Sequence, residues 1–106
     1  MAENQEGQLD PKFYERADAQ IALANGQITK EIHPGLVSNS LMFGASRFNA
    51  WVAAAGFSNG EDMKKEKKEI LDYFSSQYRL MLEENLDNYA ENYELYMGIS
   101  KDQAKK

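Results

Sequence analysis

Apolar residues recur along this chain at intervals of three and four, the period of an amphipathic helix rather than of a strand. Phe13, Ala17, Ile21, Ala24 and Ile28 follow one another at spacings of four, four, three and four, one stripe along a first helix. Asp10-Pro11 reads as its start: Asp caps free N–H groups, and Pro at the first helical position forfeits no hydrogen bond. Arg16, Asp18 and Gln20 lie off the stripe. Gly26 weakens the helix end by about 1 kcal/mol against Ala. His33-Pro34-Gly35 then breaks the chain, because proline excludes the α region for the residue before it.

A second helix is expected to begin between residues 36 and 38, with Ser38 as cap, and to end at Gly56. Leu41, Ala45, Phe48, Val52 and Ala55 form its main stripe, widened by Val37, Met42, Trp51 and Ala54. A helix apolar nearly all round belongs at the centre of a fold. Gly44, Ala45, Ala50 and Ala53 would let a neighbouring helix approach closely. After a loop at Ser58-Asn59-Gly60, Glu61 and Asp62 suit the positive end of a third helix. Met63, Ile70, Phe74, Tyr78 and Met81 then repeat at helical spacing, and neither Pro nor Gly occurs from Glu61 to Met97. One helix over that span would be roughly 55 Å long, against about 30 Å for each of the first two. The third must therefore bend, break or project. The apolar register shifts at Leu86 and resumes as Tyr89, Tyr93 and Tyr96, which favours a break near Asn85. The expected fold is all-α, an antiparallel three-helix bundle with a long, broken or projecting third helix. It would form a single helical domain over residues 10–97, between a disordered tail at 1–9 and a frayed one at 98–106.

Composition narrows the chemistry. Cysteine is absent, which removes disulfides, thiolate metal sites and thiol nucleophiles together. The net charge of −5 opposes non-specific binding to nucleic acid. Residues 1–8 have neither a positive n-region nor an apolar h-region, so no signal peptide is expected. Residues 36–57 are apolar enough to suggest a membrane span, but Arg47 and Asn49 interrupt them. An Arg alone costs about 2.5–3.5 kcal/mol at a bilayer centre. A cytoplasmic protein is expected, without nucleic acid or membrane as partner.

His33 is the single histidine and sits in a loop without an acidic partner at ligand spacing, so it is expected to be solvated. One histidine cannot supply a di-iron bundle site, a zinc-hydrolase motif or a serine triad. Glu83, Glu84, Asp87, Glu91 and Glu94 carry no compensating base between them and read as a solvated face, or one that meets a basic partner. Lys64, Lys65, Lys67 and Lys68 are cancelled by Glu61, Asp62, Glu66 and Glu69 at pairing distance. No catalytic residue, metal or cofactor is expected.

Polar residues in apolar context are the feature that resists this reading. Arg47 and Asn49 interrupt the second helix, and Asp18, Asn25 and Arg79 accompany the other stripes. Buried charge is costly unless paired. Asp18 with Arg47 or Arg79 would make an interhelical network fixing helix register; alternatively Arg47, Asn49 and Trp51 would line a pocket for a small ligand.

Three segments carry a resemblance: Phe13-Tyr14-Glu15-Arg16-Ala17-Asp18, Arg47-Phe48-Asn49-Ala50-Trp51, and Gln77-Tyr78-Arg79-Leu80-Met81-Leu82-Glu83-Glu84-Asn85-Leu86. Over about residues 11–96 the chain resembles a family of small proteobacterial proteins, domain of unknown function 3144. The resemblance implies a bacterial, cytoplasmic protein and brings no activity, cofactor or catalytic residue. The expected function is a non-catalytic interaction module, homo-oligomeric or with a protein partner. Tyr89, Tyr93 and Tyr96 would form its surface, unless Tyr93 and Tyr96 pack back on the first helix. A small-ligand-binding or enzyme-accessory protein is the alternative.

Overall fold

A computed structural model of the chain describes residues 10–98. It is all-α, and no strand occurs among the described residues. The elements are α1 (Phe13–Gly26), α2 (Pro34–Ala54), a short α3 (Gly60–Lys65), α4 (Lys67–Glu91) and a π-helical turn, Glu94–Gly98. The tails expected at 1–9 and from 99 onward fall outside the described residues. By its contacts the chain divides into two compact units, one ending at Trp51 and the other beginning at Val52.

In the first unit α1 starts at Phe13, later than the Asp-Pro signal suggested. The Asp10 carboxylate accepts the Lys12 N–H at 3.0 Å and pairs with the Arg16 guanidinium. Its side chain is thus spent on a turn ahead of the helix. Residues 27–33 are held by Thr29, whose hydroxyl accepts the N–H groups of Glu31 at 3.2 Å and Ile32 at 3.0 Å.

His33 is exposed, as expected, but it is not idle. Its Nδ1 accepts the Gly35 N–H at 2.9 Å, and Pro34 opens α2. Proline at the first helical position has no N–H to satisfy, so the imidazole serves the next one. This cap replaces the expected Ser38, and the helix starts earlier than residue 36. A Cβ on Gly35 would lie 3.1 Å from that same Nδ1, so glycine lets the ring fold over the helix end. The interior of this unit is slight: Val37 is buried, at 5% exposure, and Ala17, Ala24 and Asn49 are half-buried.

In the second unit Asn59 caps α3, its side-chain oxygen accepting the Asp62 N–H at 2.9 Å. Glu61 and Asp62 occupy the first turn and Lys64 and Lys65 the last, in line with the helix dipole. The helical run pauses at Glu66 (φ −96°, ψ 7°) and resumes as α4, which continues unbroken through Asn85 for 25 residues. The interruption falls instead at Asn92, whose backbone N–H and side-chain amide both donate to the Asn88 carbonyl, at 3.1 and 2.9 Å. That side chain competes with the helix for its own acceptor, a habit of Asn that favours helix ends.

Ile70, Tyr73, Phe74 and Gln77 form the half-buried face of α4, with the Tyr73 and Phe74 rings edge-to-face at 5.1 Å. Tyr78 and Met81, expected on the inner stripe, are exposed. The lysine run pairs locally, Lys68 with Asp72 at 2.9 Å and Lys65 with Asp62 at 4.0 Å. Such exposed pairs contribute about 0.3–0.5 kcal/mol each. No helix among the described residues is long and apolar enough to cross a membrane.

Candidate functional site

Two grooves concern function, one inside each unit. In the first unit a groove of about 520 Å³ runs between α1 and α2. Leu23, Leu41 and Phe48 wall it, Gly44 and Ala45 floor it, and Gln20 and Asn49 stand among its polar lining. None of its lining residues is ionisable. The chemistry it offers is apolar contact framed by amides and a hydroxyl, which suits an apolar side chain. In the second unit a wider groove of about 990 Å³ lies along α3 and the start of α4, with Met63, Ile70 and Leu71 beneath Asp62, Lys64 and Lys67. Its charged lining carries both signs.

The sequence-derived site residues are distributed differently from expectation. Asn49 lines the first groove. Arg47 and Trp51, one helical turn apart, stand across α2 from Asn49, with Trp51 on the side of Gly44 and Phe48. Residues two apart on a helix point roughly 200° from each other, so Asn49 cannot share a pocket wall with either neighbour. The Trp51 ring instead lies 5.8 Å from that of Phe48. Asp18 and Arg47 are both exposed, and no ion pair joins them. Both are solvated, the state that avoids the cost of desolvation. Arg79, also exposed, lines a shallow depression of the second unit with Asp72, Ser75 and Tyr78. Tyr89, Tyr93 and Tyr96 gather at the end of α4 and the turn after it, with the Tyr89 and Tyr96 rings 4.8 Å apart. Among the described residues no three His, Asp or Glu side chains converge as a metal site would require.

Leu23 went unread in the sequence because it stands off the α1 stripe. The signal that points to it is its fractional exposure of 64%, large for a leucine beside a helix pair. Along α2 the exposure is greater still: Phe43 66%, Phe48 65% and Trp51 65%.

Comparison with known proteins adds family and fold. A family described as a protein of unknown function, DUF3144, matches residues 13–90. The solved structure of the protein NB7890A from Shewanella sp., determined by NMR, is 38% identical to this chain, with a TM-score of 0.71; the match covers 85% of this chain and 95% of that one. No curated protein matches.

Proposed function

The chain belongs to the DUF3144 family of proteins of unknown function, and for this member we propose a non-catalytic association module whose apolar surface is completed by another protein chain. One observation carries the reading. Among the described residues Val37 is the one buried hydrophobic side chain, while Phe43, Phe48 and Trp51 on the same helix are two-thirds exposed. Fixing a residue's backbone costs about 1–2 kcal/mol, and burying a large apolar side chain returns about 1.5–3 kcal/mol. Ordered helices that leave their largest apolar groups in water therefore lack the term that offsets their ordering. Exposed apolar surface marks association sites where it is contiguous, and the Phe48 and Trp51 rings adjoin at 5.8 Å. The groove of the first unit, free of ionisable groups, supports contact over chemistry. The small-ligand reading loses its basis in Arg47, Asn49 and Trp51, since these do not face one space.

Sedimentation velocity over a wide concentration range tests the proposal. The expected result is a mass above the 12.1 kDa of one chain that grows with concentration. A species of one-chain mass at every concentration, with the amides of α2 strongly protected from hydrogen exchange, would overturn it, because the helix would then be stable without a partner.

A further inference from the structure

We infer that the first unit is covered by a second copy of this chain, docked α2 against α2 across Gly44. The inference rests on the association reading above and adds to it the occupant and the point of crossing. Gly44 lies in the middle of a 21-residue helix. Glycine there costs about 1 kcal/mol relative to alanine. Among the described residues, nothing beyond the helix's own backbone stands within 4 Å of the place its Cβ would take, so no neighbour within the first unit accounts for the missing side chain. A second helix backbone laid over Gly44 does account for it.

The surroundings of Gly44 fit the same occupant. Leu41, Phe48 and Trp51 stand three before, four after and seven after it, on one band of the helix. A two-fold axis through Gly44 with the helices antiparallel sets Phe48 of each copy over Ser40 and Leu41 of the other. That is the mouth of the groove, so the face supplies both the knob and the hole that an isologous contact needs. At their observed exposures, Leu23, Leu41, Phe48 and Trp51 offer roughly 500–550 Å² per copy, about two-thirds of the ~800 Å² each partner contributes to a standard interface.

Charge selects α2 among the exposed helices. A two-fold contact brings charges clustered about its axis face to face with their own copies. α2 carries a single charge, Arg47, at the edge of the band. The second half of α4 carries Glu83, Glu84, Asp87 and Glu91 with no base among them and would repel itself.

The test is Gly44→Leu, measured by sedimentation beside wild type and the α4 variant Leu86→Ala. Leucine enters open space in its own chain and is the better helix former, so helicity by circular dichroism is expected to hold or rise. The dimer Kd is expected to weaken by roughly tenfold or more, as when a bulky group is forced into a packed contact, while L86A leaves it unchanged. The chain has no cysteine, so Gly44→Cys adds a readout independent of folding energy. Mild oxidation should link two copies through residue 44 and should leave the α4 variant Leu80→Cys unlinked. Association of G44L at wild-type affinity, with no cross-link in G44C, would overturn the α2 docking and leave the association reading standing. A wild-type protein that stays monomeric at every concentration would remove the α2 docking, and with the α2 amides strongly protected from exchange it would remove the association reading as well. If G44L loses helicity, the cross-link decides.

Discussion

At the scale of single residues, the local chemistry of caps decides where helices begin. Asp10 looked like the cap of α1, yet its carboxylate serves Lys12 and Arg16, and the helix waits until Phe13. His33 looked idle and instead closes the N-terminus of α2 through Nδ1. The prediction follows from the acceptor. His33→Ala should destabilise the protein by about 0.5–2 kcal/mol in urea denaturation, and His33→Asn, which keeps an acceptor, by much less. Equal losses in the two variants would show that the ring contributes by packing. At this scale too, Arg47, Asn49 and Trp51 are near in sequence, but the middle one stands across the helix from the other two. Helical geometry alone says so.

At the scale of elements, periodicity identified every long helix, and the breaks were the harder part. The shift of apolar register at Leu86 suggested a break near Asn85, yet α4 runs through it to Glu91. A register shift changes which face is apolar without changing backbone preference, whereas Asn92 ends the helix by bonding its own i−4 carbonyl. Since Asn85 sits exposed in an intact helix, Asn85→Ala should stabilise by roughly 0.5 kcal/mol, read from thermal unfolding followed by circular dichroism. A loss of stability would mean that the Asn85 side chain makes a contact that matters. The pause at Glu66 had no proline or glycine to announce it, which is why it was not legible.

For the molecule as a whole, stability should be inseparable from concentration. A chain whose apolar faces are completed by another copy gains stability by mass action. Its Tm should rise by a few degrees per tenfold increase in protein, the shift that roughly 1 kcal/mol produces in a domain of this size. Differential scanning calorimetry at several concentrations measures it, and G44L should flatten the dependence. A Tm independent of concentration in the wild type would count against association.

The all-α class, the three long helical spans and the family resemblance were all readable along the chain, because they depend on residue type and spacing within one helix. The groove beside Leu23, the exposure of Phe48 and Trp51, the solvation of Asp18 and Arg47 and the open space at Gly44 were not. Periodicity tells which face of a helix is apolar. Whether that face is covered depends on what lies against it, and that is a property of packing in space which no spacing along a single chain encodes.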